Sequence, residues 1–185
     1  MSEKKSKARR ARGLIAVNTG DGKGKTTAAI GTAFRAVGYG RNVCFIQFIK
    51  GDWHAGELDA ARRLAPELEW HRAGIGFYKI VDDDRPEEAH RHAAAEGLAL
   101  AREKITSGRY SLVVLDEINV AIHEGLLGVE EVMAVLRDKP EALHVFLTGR
   151  NAHPDIVAMA DLVTEMKEVR HPFQTGMLAQ KGFDY

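Results

Sequence analysis

Residues 13–31, GLIAVNTGDGKGKTTAAIG, join an apolar run to a helical pattern through a glycine-rich turn. A turn of this kind at the start of a helix places several backbone N–H groups around one anion, at the positive end of the helix dipole. The usual phosphate-loop pattern is G-x-x-x-x-G-K-[ST]. Gly24, Lys25 and Thr26 match its end, but Thr19 stands where the first glycine belongs. The stretch therefore predicts a phosphate-binding loop with an unusual first position.

Each residue type in this loop has a chemical reason. We expect Gly20, Gly22 and Gly24 to adopt positive φ and to let the backbone approach phosphate oxygens without a Cβ in the way. Lys25 is expected to reach the terminal phosphates, and the Thr26 hydroxyl is expected to bind Mg²⁺. The alternative is a glycine turn that merely joins a strand to a helix, and G-K-T-T at the helix start argues against it.

Around the loop, short β-rich runs alternate with helical patterns. The predicted strands are 14–18, 42–49, 112–116, 144–148 and 161–166, and the predicted helices are 26–37, 57–65, 87–105, 129–136 and 154–159. Apolar strands separated by helices are typical of a parallel sheet that is covered on both faces. We find no internal repeat and no linker. The chain is therefore expected to be one domain, 13–185, preceded by a flexible basic segment, 1–12.

Composition limits the classes of function. The chain has 26 Lys plus Arg and 26 Asp plus Glu, so it has no net field to attract nucleic acid, and no nucleic-acid partner is expected. It contains neither an apolar stretch of about 18 residues nor a signal-peptide pattern, so we expect a cytoplasmic protein without membrane contact. Its single cysteine, Cys44, excludes an internal disulfide and is expected to be buried. His90 and His92 lie two residues apart, so they do not form a metal pair on a helix.

A pair of acidic residues follows another predicted strand. In SLVVLDEINV, residues 111–120, the apolar run ends at Asp116 and Glu117. In parallel sheets the carboxyl edge of the strands is where ligands bind, and an Asp at this place commonly orders a metal through water. A solvated acidic pair is the alternative. The loop and this pair alone suggest an ATPase or a kinase.

Four further stretches redirect this interpretation. They are QFIKGDWHAGE (47–57), GIGFY (74–78), FLTGRNAHPDI (146–156) and VRHPFQTGMLAQKGFDY (169–185). With the loop, they resemble the ATP:corrinoid adenosyltransferases, which carry TGxGKGKTT, QFIKGxWxxGE, LDE, TGRxxHxDI and a tail ending A-Q-x-G-x-D-Y in the same order. The resemblance runs from about residue 13 to 185. That family also has Thr where the usual first glycine belongs.

The resemblance implies an α/β, three-layer P-loop NTPase (RecA-like) fold with a mostly parallel central sheet flanked by helices. It also implies transfer of the 5′-deoxyadenosyl group of ATP to the cobalt(I) of a corrinoid, which is cob(I)yrinic acid a,c-diamide, cobinamide or cobalamin, with release of triphosphate. Cobalt(I) attacks the ribose C5′ with a metal lone pair, so the site needs no general base. The alternatives are a P-loop kinase or ATPase acting on the γ-phosphate, and a non-catalytic, nucleotide-gated corrinoid-binding protein.

By position, the resemblance implies roles for individual residues. Lys25 and Glu117 are expected to be catalytic. Thr26, Glu117 and Asp116 are expected to bind Mg²⁺ or Mn²⁺, Asp116 through water. The residues expected to bind ATP are Thr19, Gly20, Asp21, Gly22, Lys23, Gly24, Lys25, Thr26, Thr27 and Arg150. For Arg150, a surface salt bridge is the alternative.

The corrinoid is expected to contact Phe77 and Tyr78. Family members often have G-F-T-W where this chain has GFYK, so Tyr78 replaces Thr and Lys79 replaces Trp. The resemblance implies that those aromatic residues press on the corrinoid and displace its lower ligand, so that cobalt(II) can be reduced. Either Tyr78 makes that contact instead, or the lower ligand of the corrinoid is displaced in another way. For Phe77, burial in the core is the alternative.

The resemblance also implies partners. A reductase such as a flavodoxin or flavoprotein is expected to supply cobalt(I), and the protein is expected to be a homodimer. The segment 1–12 has six basic side chains and one acidic one. It is either a solvated tail or a segment that orders over the bound corrinoid, in its own subunit or in a dimer partner.

Overall fold

The computed structural model describes residues 12–49, 51, 54–76, 78 and 85–184. Within them the strands are β1 (Ile15–Thr19), β2 (Val43–Gln47), β3 (Leu68–Arg72), β4 (Leu112–Asp116), β5 (His144–Thr148) and β6 (Leu162–Glu165). The helices are α1 (Lys25–Gly38), α2 (Gly56–Arg63), α3 (Glu87–Thr106), α4 (Ile118–His123), α5 (Val129–Arg137) and α6 (Pro154–Met159). A 3₁₀ turn, Pro172–Thr175, follows β6.

The six strands form one sheet in the order β3-β2-β4-β5-β1-β6, and every strand pair in it is parallel. Strand β5 therefore separates β1, which leads into the glycine loop, from β4, which ends at Asp116. Because all strands run in one direction, Thr19, Asp116 and Thr148 end at the same edge of the sheet. This topology confirms the predicted α/β fold with a parallel central sheet.

The sheet is the middle one of three layers. Successive strand side chains point to opposite faces. Val17, Ile46 and Leu115 belong to a buried cluster with residues of α3, α4, α5 and α6. Phe45 and Val114 belong to a second cluster, which contains residues of α1 and α2. Burial of a Val, Ile, Leu or Phe side chain stabilises a fold by about 1.5–3 kcal/mol, so these two clusters fix both helical layers onto the sheet.

Two elements are absent from the sequence prediction. Strand β3, LEWHR, was not predicted although its alternation is typical of a half-buried strand, because it has only five residues and follows a proline closely. Helix α4 has only six residues, which is too short to show a helical period. The prediction that every strand is covered on both faces is wrong for β6, since its four residues are all exposed. Strand β6 lies at the edge of the sheet, beyond β1.

The burial of Cys44 and the different burial of the two histidines on α3 agree with the sequence prediction. Cys44 is fully buried, and burial raises the pKa of its thiol to about 12. His90 is buried while His92 is exposed, which confirms that they lie on different faces of α3. Among the residues with described positions, no helix is long and apolar enough to cross a membrane. Most of the predicted basic segment lies outside the described residues, but Arg12 forms an ion pair with Asp161.

A polar cluster fastens the edge strand β3 to α3. The carboxylate of Glu69 accepts hydrogen bonds from Lys104 Nζ at 2.7 Å and from the Tyr110 hydroxyl, and His71 Nε2 lies 2.6 Å from it. Burial alone would raise the pKa of Glu69, but these hydrogen bonds outweigh burial and lower the pKa to about 2. The Lys104 side chain is only 9% exposed, so it depends on this carboxylate for its charge balance.

We predict that Glu69→Gln destabilises the fold at pH 7 by about 2 kcal/mol, because Lys104 loses its counter-charge in a partly buried place. Urea unfolding should show the loss. The folded-state pKa of Glu69 lies below its ordinary value of 4.5, so its stabilising effect is complete above that value and disappears as the pH falls toward about 2. The difference between wild type and variant should therefore shrink over this interval.

The matched control is Glu96→Gln, which removes a carboxylate from an exposed pair with His92 on the same helix. It should change stability by no more than about 0.5 kcal/mol. A Glu69→Gln protein as stable at pH 7 as this control would contradict the role given to the cluster.

Candidate nucleotide site

The glycine loop follows β1 and leads directly into α1. Gly20 and Gly24 have φ values of +89° and +115°, which residues with a Cβ rarely adopt, and this confirms the prediction for these two glycines. For Gly22 the prediction of positive φ is wrong. Its N–H donates a hydrogen bond of 2.7 Å to the Met166 carbonyl oxygen, and a Cβ on Gly22 would lie 2.8 Å from that oxygen. Gly22 is thus needed for a close approach to the chain that follows β6.

Lys25 is the first residue of α1, and it is only 7% exposed. Its Nζ donates hydrogen bonds to the carbonyl oxygens of Gly20 at 2.6 Å and Gly22 at 2.7 Å. Burial and, secondly, the positive charge of Arg150 lower the pKa of Lys25. The loop therefore holds a cation against its own carbonyl groups, where the oxygens of an anion can take over these hydrogen bonds.

Thr19, at the unusual first position, has a contact of its own. Its Oγ1 accepts a hydrogen bond of 3.1 Å from the Ala152 N–H, and its carbonyl oxygen accepts one of 2.8 Å from the Met166 N–H. The hydroxyl thus connects the end of β1 to the turn that follows β5. A glycine at this position has no side chain to make that connection.

Asp116 is fully buried, and each of its carboxylate oxygens has a partner on a neighbouring strand. Gln47 Nε2 on β2 donates to Oδ2 at 3.1 Å, and Thr148 Oγ1 on β5 donates to Oδ1 at 2.7 Å. Gln47 Oε1 in turn accepts a hydrogen bond of 3.2 Å from Trp70 Nε1 on β3. A buried carboxylate is stable only with such partners, so this network accounts for a charge at the centre of the sheet edge.

Glu117 directly follows this buried carboxylate and has an unusual backbone conformation. Its φ of +62° lies in the left-handed region, which costs a residue with a Cβ about 1 kcal/mol or more. Its N–H donates a hydrogen bond of 3.0 Å to Thr148 Oγ1, the same hydroxyl that binds Asp116. The Asp116–Thr148 contact thus also fixes the direction in which the chain leaves β4.

A cleft of about 480 Å³ opens above the loop. It is lined by Asp21, Gly22, Lys23, Gly24, Lys25, Thr26, Thr27, Ile30, Gly56, Glu57, Glu117, Val120, Arg150, His171, Gly182, Phe183 and Asp184. Most of the predicted ATP-binding residues are in this set, as is Glu117. Thr19, Gly20 and Asp116 lie behind it, in the structure that supports the loop and Glu117.

Comparisons with known proteins cover nearly the whole chain. Residues 11–185 match the model of the family described as ATP:corrinoid adenosyltransferase BtuR/CobO/CobP. The chain is 39% identical over 185 residues to a corrinoid adenosyltransferase of Pseudomonas aeruginosa, covering 100% of this chain and 90% of that protein. It is 41% identical over 176 residues to a corrinoid adenosyltransferase of a Sinorhizobium species, covering 94% and 81% of the two chains. This chain belongs to the ATP:corrinoid adenosyltransferase family.

A solved structure outside that set of relatives supports the fold. The flagellar accessory protein FlaH of Methanocaldococcus jannaschii superposes with a TM-score of 0.53 at 12% identity, covering 83% of this chain and 70% of FlaH. At that identity the similarity concerns the fold alone. It shows that the fold of this chain also occurs in FlaH.

Of the remaining predicted site residues of this adenosyltransferase, the structure describes Arg150 and Tyr78. Arg150 Nη2 donates to the Asp21 carbonyl oxygen at 3.2 Å, so the arginine lies across the loop. Tyr78 is half-buried, and its ring centroid lies 5.1 Å from that of His90 on α3. Phe77 and Lys79 lie outside the described residues.

The sequence interpretation missed several residues that line the cleft. Ile30, Glu57, Val120, His171, Phe183 and Asp184 were assigned no role, although the last three belong to the tail that carries the family resemblance. The tail motif was the signal that pointed to them. Nothing in its composition alone indicates that the chain folds back over a loop more than 150 residues earlier.

The donors around the cleft fit a hard divalent cation. Within the described ranges, no three His, Cys, Asp or Glu side chains are grouped so that they could hold a metal by themselves. The Thr26 hydroxyl and the Glu117 carboxylate both line the cleft. Mg²⁺ favours such oxygen ligands, and it commonly keeps several waters and uses one or two carboxylates together with substrate phosphates.

We predict that Gly22→Ala weakens ATP binding on the order of tenfold, because the added methyl group forces the loop away from the Met166 carbonyl and overpacking of this kind costs about 1–3 kcal/mol. Isothermal titration with ATP and Mg²⁺ measures the effect. Gly31→Ala on α1 is the matched control, since a Cβ there meets no atom within 4 Å and should leave the affinity unchanged. Equal affinities for the two variants would contradict the close-approach role of Gly22.

Proposed function

We propose that this protein transfers the 5′-deoxyadenosyl group of ATP to the cobalt(I) of a corrinoid, with release of triphosphate. The observation that carries the proposal is the single cleft that brings together Lys25, Arg150 and Glu117 above a phosphate-type loop, in a member of the corrinoid adenosyltransferase family. The corrinoid is cob(I)yrinic acid a,c-diamide, cobinamide or cobalamin, and the product belongs to adenosylcobalamin biosynthesis or salvage.

The proposed reaction needs cations in the site and does not need a general base. The cobalt(I) lone pair forms the cobalt–carbon bond at C5′, the C5′–O bond breaks, and its electron pair leaves with the triphosphate. Cobalt becomes cobalt(III), and no proton moves in this step. Catalysis then consists of aligning the reacting atoms and stabilising the negative charge that develops on the leaving triphosphate.

Residues of the loop supply that stabilisation. Lys25 exchanges its two carbonyl partners for triphosphate oxygens, and the N–H groups at the start of α1 bind the same anion. Arg150, which donates a hydrogen bond to a carbonyl oxygen of the loop, adds a second positive charge. Thr26 and Glu117 would hold Mg²⁺ or Mn²⁺, with Asp116 acting through water. When bound, the metal ion supplies positive charge to the triphosphate.

The corrinoid is proposed to bind beyond the carboxyl ends of β2 and β3. There the N–H groups of Ala73 and Gly74 donate to the Gln47 carbonyl oxygen at 2.7 and 3.2 Å, which fixes the chain after β3 against the chain after β2. Tyr78 lies on this chain and packs against His90. In this place a ring can stiffen the wall of a corrinoid site and support displacement of the lower ligand.

We also propose the partners and the location that such a reaction needs. A flavodoxin or another flavoprotein supplies the electron that makes cobalt(I). The protein acts as a homodimer in the cytoplasm, where ATP is available. The exposed apolar side chains of Leu162 and Val163 on the edge strand β6 support contact with a second copy.

Product analysis distinguishes this function from the two alternatives. Incubation with ATP, Mg²⁺ and a cobalt(I) corrinoid should yield triphosphate and a photolabile cobalt–carbon compound. A kinase or ATPase would instead yield ADP with phosphate or a phosphorylated product. A non-catalytic binding protein would bind ATP and corrinoid and leave both unchanged.

We predict that Lys25→Ala lowers the rate of adenosylation by a factor on the order of 100 or more, as expected for the loss of a charge that stabilises the leaving group. The cobalt–carbon product is followed by its absorbance. Arg35→Ala, an exposed position in the last turn of the same helix, should keep its activity. Circular dichroism should show both variants folded. Near-normal turnover by the Lys25 variant would rule out this assignment.

For Tyr78 we predict a dependence on the oxidation state of the substrate. Tyr78→Ala should slow the reaction that starts from cobalt(II) and a reductant more than the reaction that starts from chemically prepared cobalt(I), because the ring acts before the alkyl transfer. Tyr78→Phe keeps the ring and should retain both rates. An equal loss in the two reactions would show that Tyr78 serves only the packing against His90.

A further inference from the structure

The C-terminal segment of the described chain folds back over the glycine loop. Gln180 and Asp184 close a turn, since the Asp184 N–H donates to the Gln180 carbonyl oxygen at 2.8 Å and the Gln180 N–H donates to Asp184 Oδ2 at 2.8 Å. Gly182, Phe183 and Asp184 all line the cleft. The tail motif of the sequence therefore forms part of the wall of the cleft, although the proposed reaction does not require any of its residues.

The two carboxylate oxygens of Asp184 have different partners. Oδ2 closes the turn of the tail, whereas Oδ1 lies 2.6 Å from Lys23 Nζ in the glycine loop. The Asp184 side chain is 22% exposed and that of Lys23 is 39% exposed. The Phe183 ring also faces this lysine, with 5.8 Å between its centroid and Nζ. The tail therefore holds one loop cation by charge and by its aromatic ring.

The partner of Lys23 differs from the partners of the other two cleft cations. Lys25 donates to two neutral carbonyl oxygens of its own loop. Arg150 donates to a backbone carbonyl, and its Nε stays 3.9 Å from the Asp21 carboxylate. Lys23 instead forms a close ion pair with a carboxylate from the far end of the chain. A triphosphate in the cleft must compete with that carboxylate.

We propose that Asp184 is a positioning residue that keeps Lys23 at the mouth of the cleft and gives it up to an entering triphosphate group. The pair re-forms when the triphosphate leaves, so the tail carboxylate limits how tightly the loop retains this product. The inference rests on the proposed function, because it takes the triphosphate group as the ligand of the loop. In this way the tail motif lowers the affinity of the loop for the leaving triphosphate.

The test measures binding of inorganic triphosphate with Mg²⁺ by isothermal titration, in the full-length protein and without corrinoid. Asp184→Asn should tighten binding about two- to fivefold, which corresponds to the removal of one partly exposed ion pair. Asp184→Glu retains the carboxylate and should bind like wild type. Unchanged or weaker binding by the Asp184→Asn protein would overturn the proposal.

Two controls separate the contact from a general effect of charge. Glu168→Gln removes a tail carboxylate that accepts a hydrogen bond from Gln174 and should leave the affinity unchanged. In a Lys23→Met background, Asp184→Asn should have no further effect, because the pair is already broken. An effect that persists in that background, or one of equal size in the Glu168 variant, would show that only the net charge matters and would refute the positioning role.

The outcome for wild type keeps the two hypotheses apart. If wild type binds triphosphate and Asp184→Asn does not bind it more tightly, the loop assignment stands and the role of Asp184 is wrong. If wild type itself binds no triphosphate, both the loop assignment and the inference are wrong.

Discussion

The buried carboxylate of Asp116 is the constraint on which the rest of the site depends. A charge in that position needs a hydrogen-bond donor for each oxygen, and these donors come from Gln47 on β2 and Thr148 on β5. The requirement aligns three adjacent strands at their carboxyl ends. It also fixes the Thr148 hydroxyl, which then accepts the N–H of Glu117 and directs that residue toward the cleft. One buried carboxylate thus sets the geometry of the sheet edge and of Glu117, which lines the cleft.

The same edge explains how a fold of this kind can perform alkyl transfer. A glycine loop at the start of a helix can bind an anion whichever bond of the nucleotide will break. What differs between a phosphoryl transferase and an adenosyltransferase is the end of the nucleotide that faces the second substrate. Because the cobalt nucleophile carries no proton, the site can do without the base that a hydroxyl nucleophile requires. A fold that binds a nucleotide in this way therefore needs few additional side chains to perform adenosyl transfer.

Much of this arrangement could be predicted from the sequence, and the parts that could not have physical reasons. The apolar strands and G-K-T-T gave the parallel sheet and the loop, since both depend on local pattern. The contacts that hold β3 could not be predicted, because Glu69 is satisfied by Lys104 on α3 and by Tyr110 in the loop that follows this helix. The contact of Lys23 with Asp184 is equally remote along the chain. For Gly22 a close approach of the backbone was predicted, but the group that it approaches, a carbonyl beyond β6, could not be predicted.

The contact made by Thr19 bears on how such loops are compared and redesigned. A threonine at the first position looks like a defect when the loop is aligned with the usual glycine pattern. In this chain its hydroxyl accepts the Ala152 N–H and fastens the loop to the turn that carries Arg150. Replacing it with the consensus glycine would remove this hydrogen bond and loosen the contact between the loop and that turn. In this chain, a change toward the common glycine pattern would therefore remove a contact that the threonine provides.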